Sequence, residues 1–449
     1  MMQRHPRIIT SDIASIFCVE IDFARVTGGF RLTRAVPGII SGAYPNDFEP
    51  EIERPSQCVS TRRDAHKSKG VFPSVGLKTS FKIICTIALG LIFVFPAAAQ
   101  NKRKVILDQD ARGPATTDQQ SMLMFIQSPE VETLGITVVS GDMWRDEEVA
   151  HTLRMLEIVG RTDIPVLPGA VYPLINRMDF IERWEKLYGT VHYQGAWNGH
   201  RPGMNLGEGL RGRWHEPFVV PDIVEGNPTT KASEEDAAHF IIRMVHKYPH
   251  EVTIYAGGPL TNIAQAISLD PNVPDLAQEL VIMGGSVAPV VPIEWRTENR
   301  REFNFWWDPE AVHITLTSPW HKITITTVDI SIKTRMTKEL IAELAKSPSA
   351  ASQYVAKYAD VEYMWDELAA AGWLDPSVIT KEDQLYMDIN IDHGAGYGNV
   401  IVWTADLHPG LGEQLVHLPA ELNREKFEKM FIELMARPTP GAHPAANSK

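Results

Sequence analysis

Residues 105 to 118 read Val-Ile-Leu-Asp-Gln-Asp-Ala-Arg-Gly-Pro-Ala-Thr-Thr-Asp, an apolar run that ends in three carboxylates, Asp108, Asp110 and Asp118. Grouped carboxylates repel one another, so such a cluster at a strand end persists most easily when a hard cation or a hydroxyl-rich ligand shares the charge. A solvated turn would show the same residues, because open α/β sheets gather polar groups at strand ends for packing reasons too. Asp142 repeats the arrangement, following the apolar run Leu134 to Val139 through Ser140-Gly141. In Tyr255-Ala-Gly-Gly-Pro-Leu-Thr-Asn262 a strand passes through a glycine pair into a helix opened by Pro259. Backbone can approach a ligand closely there, and Thr261 offers a carbonyl or a hydroxyl, although a helix start shaped only by packing would look alike.

Arg301-Glu-Phe-Asn-Phe-Trp-Trp-Asp-Pro-Glu-Ala311 sets Glu302 and Asn304 two residues apart, on one side if extended, a pair able to grip adjacent sugar hydroxyls. Behind them Asp308 reads as the cap of a helix that Pro309 opens. Trp365-Asp366 falls within a helical pattern; on spacing alone Trp365 reads as a core residue and Asp366 as a solvated one.

Elements must hold these residues in place. From Lys104 onward, apolar strand-like runs alternate with longer helical patterns, which predicts one α/β domain, a mainly parallel, Rossmann-like central sheet flanked by helices. The pattern puts strands at 104–108, 131–139, 252–257, 279–284 and 322–328. Helical periodicity fits 118–127, 145–160, 233–248, 260–268, 308–317, 337–371 with a break near Pro348, and 421–436. The stretch 172–230, rich in Gly, Pro, Trp and His, lacks a sustained period and reads as a long excursion. Its Trp184, Tyr193 and Trp197 would suit a lid or a subunit contact in a homo-oligomer. The tail 437–449 reads as frayed and disordered.

The 449 residues are 44% apolar and 22% charged, an ordinary globular balance. The net charge of −13 is uneven: residues 1–100 carry 12 Lys+Arg against 8 Asp+Glu, leaving −17 for the remainder. A nucleic-acid surface is disfavoured there. Cys18, Cys58 and Cys85 all precede residue 100, so any later metal site must use oxygen or imidazole. Lys78 and Lys82 lead into the nearly uncharged Ile83–Phe95 and then Pro96-Ala-Ala-Ala99, which gives residues 77–99 the layout of a secretory signal peptide. The run is too short for a stable membrane anchor. The expectation is a secreted or periplasmic protein with a mature start near Gln100. Residues 1–76 are an irregular extension consistent with a mis-set start, with initiation near Val71, Val75 or Leu77. His192, His200 and His393 form no His-Glu-x-x-His zinc motif, and no Gly-x-Ser-x-Gly elbow or strand-linked dinucleotide fingerprint occurs.

Taken together, Asp108-Gln-Asp110, Gly141-Asp142, Pro259-Leu-Thr-Asn262, Glu302-Phe-Asn304 and Asp308-Pro-Glu310-Ala resemble the inosine–uridine-preferring nucleoside hydrolase family. The order and spacing fit through residues 103 to 436, and the bridging runs Ser128–Thr137 and Gly160–Gly169 look like the same family. The resemblance implies calcium-assisted hydrolysis of a ribonucleoside N-glycosidic bond through an oxocarbenium-like ribosyl transition state. It implies Asp110 as ligand and general base, with Asp118, Asp366 and the Thr261 carbonyl completing the Ca2+ shell and Asp108 in support. Asp142, Glu302 and Asn304 would grip ribose. Asp142 and Trp365-Asp366 look like the purine-specific branch, a purine-salvage activity in which Trp365 stacks on the leaving base.

This sequence departs from the family in two places. The family's adjacent aspartate pair is met here by Pro114 and Ala115, and only a three-residue insertion lets Thr117-Asp118 take the position, Thr117 then facing ribose. The family's asparagine upstream of Glu302 is displaced, with Asn299 nearest and Arg296 in its expected place. A catalytically impaired secreted member that binds a nucleoside or sugar is the alternative. A haloacid-dehalogenase-type phosphatase also begins from a strand ending in Asp-x-Asp, but it leaves Glu302 and Asn304 without a role.

Overall fold

Val105, Ile106 and Leu107 are fully buried in the middle of a nine-stranded sheet, as an apolar strand covered on both faces must be. In the computed structural model the described residues are 102–191, 193–198, 214–287 and 301–443. The extension 1–76, the leader-like segment 77–99, the cysteines, His192, His200, Arg296, Asn299 and residues 444–449 lie outside them.

The first half runs β1 (Arg103–Gln109), α1 (Thr117–Gln127), β2 (Val131–Val138), α2 (Arg145–Val159), β3 (Val166–Pro168) and α3 (Met178–Tyr188). The middle follows as α4 (Ala237–Lys247), β4 (Val252–Ala256), α5 (Thr261–Leu269), α6 (Val273–Leu276), β5 (Glu279–Met283), α7 (Phe303–Trp307), α8 (Pro309–Leu316) and β6 (Ile323–Thr326). Then come α9 (Val328–Ser331), α10 (Lys338–Leu344), α11 (Ala350–Tyr358), α12 (Trp365–Leu374), β7 (Ile379–Ile389), β8 (Val400–Trp403), β9 (Gln414–Leu422) and α13 (Arg424–Met435).

The sheet order is β3-β2-β1-β4-β5-β6-β9-β7-β8. Strands β3 through β9 in that order are parallel, and β7 pairs antiparallel with β9 and β8. The chain moves outward from β1 to β2 and β3, then returns to β4 on the other side of β1. That reversal opens a crevice at the carboxyl ends of β1 and β4, the place where open α/β sheets bind ligands. Helices α1, α12 and α13 share the apolar core on one face with α2; α4, α5 and α8 share the core on the other. A third cluster of Trp144, Trp184, Trp197, Trp306 and Trp307 anchors the excursion, with Trp197 stacked on Trp307 at 4.2 Å.

Every strand and helix read from periodicity is present in the described residues within a few positions at its ends. The polar edge was not read. β7 begins Ile-Thr-Lys-Glu-Asp-Gln, exposed from Thr380 to Gln384, so its first half lacks the apolar alternation that marks a half-buried strand. The excursion holds α3, whose Ile181, Trp184 and Tyr188 do recur at helical spacing, but in one short helix set within a Gly- and Pro-rich stretch. The helical stretch over 337–371 breaks near Pro348 as expected, Ser349 capping a new helix, but it breaks a second time where residues 359–364 turn back before α12. Residues 437–443 are docked rather than frayed: Gln127 donates to the Arg437 carbonyl at 2.9 Å and the His443 N–H to Gly160 at 2.9 Å. Among the described residues no helix is long and apolar enough to cross a membrane.

Asp308 joins three parts of this frame. Its buried carboxylate accepts from the Ala311 N–H at 3.1 Å, capping α8, and from the Thr261 hydroxyl at 2.7 Å and the Leu174 N–H at 2.9 Å. Asp308→Ala leaves all three donors unpaired and is expected to cost about 2–4 kcal/mol in urea unfolding. Burial lifts the Asp308 carboxyl from 3.8 to about 6. The folded state therefore favours the protonated form, and the stability tied to it is full below about pH 4 and lost as pH rises through about 6. Relative to Asp308→Asn, the wild type should lose about 2–3 kcal/mol across that window; a flat difference would contradict the assignment.

Candidate active site

The loop between β1 and α1 carries most of the chemistry, and its geometry follows from α1 being buried along its whole length. Polar groups on a buried helix must find partners. The Gln119 carbonyl accepts from the Ala115 N–H at 2.8 Å and the Tyr354 hydroxyl at 2.6 Å, and the Gln120 amide donates to the Ala115 carbonyl at 2.8 Å. Those bonds pin Ala115 at φ +51°, a conformation disfavoured for a residue with a Cβ. Asp108 is a tie between elements. It is fully buried and accepts from Thr137 on β2 at 2.5 Å and from Asn262 on α5 at 2.8 Å. Burial raises its carboxyl to about 7.

Asp110, Asp118 and Asp366 are each buried, and burial first, then neighbouring carboxylates (Asp142 beside Asp110 and Asp118, Glu367 beside Asp366), pushes their carboxyls well above the usual range. Asp110 Oδ2 accepts from the Asp142 N–H at 2.9 Å, and Asp118 Oδ2 from the Thr116 hydroxyl at 2.7 Å. The Thr117 hydroxyl lies 3.0 Å from Asp366 Oδ2 and 2.6 Å from Glu367 Oε2. It also accepts from the Asp366 N–H at 3.0 Å. Burial pushes the carboxyls of both acids well above the usual range, which favours the shared hydroxyl between them. Asp366 Oδ1 has no hydrogen-bond donor. The facing Gln109 amide is committed to the Ser121 hydroxyl at 3.0 Å and the Asp118 carbonyl at 3.4 Å.

The glycine pair keeps this space open. A Cβ on Gly258 would sit 2.7 Å from Asp110 Oδ1, and one on Gly257 would sit 2.6 Å from Asp366 Oδ1. These all-oxygen donors suit a hard cation. Among the described residues no three His, Cys, Asp or Glu side chains already converge as ion ligands, so carboxylates would have to rotate to share one. Thr261 begins α5 with its hydroxyl committed to Asp308, which leaves its carbonyl as the atom available to an ion.

Asp142 accepts from the Tyr193 hydroxyl at 2.8 Å and pairs with Arg112 at 3.4 Å. Glu302 and Asn304 are not on an extended segment as expected. Glu302 caps the short helix α7, taking the N–H groups of Asn304 at 3.0 Å, Phe305 at 3.2 Å and Gly285 at 2.8 Å, while burial lifts its carboxyl to about 7. The Asn304 amide donates to the Gly257 carbonyl at 2.6 Å and the Met283 carbonyl at 3.2 Å. Both side chains are thereby fixed at the ends of β4 and β5. Asp308 does cap α8.

Asp366 overturns the reading of it as solvated, since it is 2% exposed; Trp365, the first residue of α12, is half-buried and lies 4.7 Å from the Tyr363 ring. Helical spacing could not show this, because the start of α12 points into the crevice. Thr117 faces Asp366 and Glu367. Sequence reasoning passed over Arg112, Gln109 and Glu367; the only signal was that Arg112 lies in the inserted stretch. Thr117→Val leaves the Asp366 N–H and two carboxylates without their partner and should lower stability by about 1–3 kcal/mol, with Thr117→Ser restoring most of it. Urea unfolding of the two variants measures this, and a valine variant as stable as wild type would refute the bridge.

The sequence model of the family described as inosine-uridine preferring nucleoside hydrolase matches residues 105–429. The inosine-uridine preferring nucleoside hydrolase of Crithidia fasciculata is 25% identical over 350 residues, spanning 75% of this chain and 98% of that protein. A probable uridine nucleosidase 2 of Arabidopsis thaliana is 28% identical over 266 residues, 59% of this chain and 71% of that protein. Among solved structures, a purine-preferring ribonucleoside hydrolase from Gardnerella vaginalis superposes with a TM-score of 0.57 at 21% identity, covering 74% of this chain and 98% of that one. That last likeness speaks for the fold. A family match spanning the sheet, the glycine pair and all the buried acids means that the chain belongs to the inosine-uridine preferring nucleoside hydrolase family and is a nucleosidase, hydrolysing the N-glycosidic bond of small nucleosides.

Proposed function

We propose that this protein is a calcium-dependent, purine-preferring ribonucleoside hydrolase that acts outside the cytoplasm. The family is metal-dependent. The observation that carries the reading is that Asp110 Oδ1 and Asp366 Oδ1 both border the space kept clear by Gly257 and Gly258 at the switch point of the sheet, with Asp118 buried in the same loop as Asp110. Asp110, Asp118, Asp366 and the Thr261 carbonyl would hold the ion. Bound there, calcium would supply positive charge that orients and acidifies the attacking water. Export rests on the leader-like segment 77–99.

The chain's own residues would do the rest. Asp110 takes the proton from water through Oδ1, because Oδ2 is fixed by the Asp142 N–H. Asp142, Glu302 and Asn304 hold ribose hydroxyls, Asn304 through its carbonyl oxygen, since its N–H groups face Gly257 and Met283. In a water-poor crevice an unmatched hydroxyl is costly, which favours ribose over sugars lacking one. Trp365 and Tyr363 form an aromatic wall on which a departing purine can stack. Membership of the family sets aside the phosphatase alternative. A binding protein without turnover remains a second reading, favoured by Thr117 standing where the family has an acid.

Asp110→Asn should lower kcat/KM for inosine by at least about 10³-fold at unchanged melting temperature, followed as hypoxanthine release. Chelation should abolish the wild-type activity and calcium restore it. Turnover surviving in Asp110→Asn would remove the base, and binding without turnover over a nucleoside panel would favour the second reading.

Relatives named as uridine nucleosidases make uridine the rival substrate. The purine reading expects kcat/KM for inosine above that for uridine, and Trp365→Ala to cut the inosine value about 10–100-fold through lost stacking. Uridine cleaved faster than inosine by the wild type would overturn it.

A further inference from the structure

Arg112 has no role in the reaction described above, yet it is 6% exposed and stands two residues after Asp110 in the same loop. Its guanidinium lies 3.4 Å from Asp142 Oδ2 and 3.7 Å from Glu362 Oε2, and its charge also acts on Asp118. Neither contact has hydrogen-bond geometry, both being ion pairs longer than the usual range of about 2.7–3.2 Å, and Nε has no acceptor. The side chain is therefore held by charge rather than by directional bonds. A guanidinium stays protonated and is weakly hydrated, which makes it the cation best suited to burial among acids.

We propose that Arg112 is a resident counter-cation of the acid site: it neutralises the carboxylates when no divalent ion is bound and lowers the affinity with which one binds. The proposal rests on the calcium reading above and specifies how that site is regulated. Arg112 pairs with Asp142, the Asp142 N–H holds Asp110 Oδ2 at 2.9 Å, and Asp110 Oδ1 borders the space kept open by Gly258, so an incoming ion meets a fixed like charge beside the same acids. Two effects work in one direction. Repulsion disfavours the second cation, and the carboxylates are already partly neutralised. Calcium affinity then falls to the range of about 10⁻⁴–10⁻³ M typical of extracellular modules, so the enzyme is loaded only where calcium is abundant.

Calorimetric titration of calcium chloride into the metal-stripped full chain tests this on wild type, Arg112→Gln and Arg112→Lys. Arg112→Gln is expected to bind at least about tenfold tighter than wild type. Arg112→Lys, which keeps the charge, should stay within about threefold, and Asp110→Asn should abolish binding. Equal or weaker binding by Arg112→Gln overturns the proposal while leaving the calcium reading intact; no saturable binding in any variant removes the calcium reading, and the proposal with it. If Arg112→Gln folds only with the ion present, melting temperature is read against calcium concentration instead. A rise steeper than that of wild type supports the proposal, and an equal or shallower rise overturns it.

Discussion

Mutual repulsion among carboxylates taken out of water is the constraint around which this molecule is arranged. Asp110, Asp118 and Asp366 are buried together, with Asp142 beside them, and each charge makes the next ionisation harder. An arrangement of that kind is stable only if protons, a cation or fixed dipoles share the charge. The protein uses several of these means at once. Thr116 and Thr117 supply hydroxyls, Arg112 a guanidinium, and the Asp142 backbone an N–H. What is left over is one oxygen each of Asp110 and Asp366 beside a space that glycines keep clear.

The sheet makes this burial possible. Strands β1 and β4 lie side by side, and the reversal of strand order between them sends loops away in opposite directions, leaving a crevice at their carboxyl ends. Asp108 stabilises that junction rather than lining it, since its carboxylate is bonded to β2 and α5. The acids that face the crevice come from the β1–α1 loop, the β2–α2 loop and the start of α12, so no local segment builds the site. Glu302 and Asn304 complete it from α7, fixed by backbone groups of β4 and β5 ends. Preorganised in this way, they would meet a sugar without first having to be ordered.

Much of this was legible in local sequence, because the central strands are buried on both faces and therefore read as apolar runs with acids at their ends. The cap at Asp308 was equally plain, being a local bond between a side chain and an N–H three residues on. The last three strands, β7 to β9, were not legible; the first half of β7 is polar and exposed, which leaves no apolar period. Glu302 and Asn304 start a short helix rather than an extended segment, and their carboxylate and amide bond to distant main chain, which no spacing encodes.

The sequence by itself determined which acids stand at strand ends, in what order, and on what kind of sheet, because alternation of apolar runs and helical periods is a local property of the chain. Only the tertiary structure decided that Asp366 is buried, that Thr117 bridges to it, and that Arg112 lies among the acids. Those facts depend on residues some 250 positions apart meeting in a desolvated crevice. Burial and charge there are set by the packed assembly and not by any neighbour in the chain.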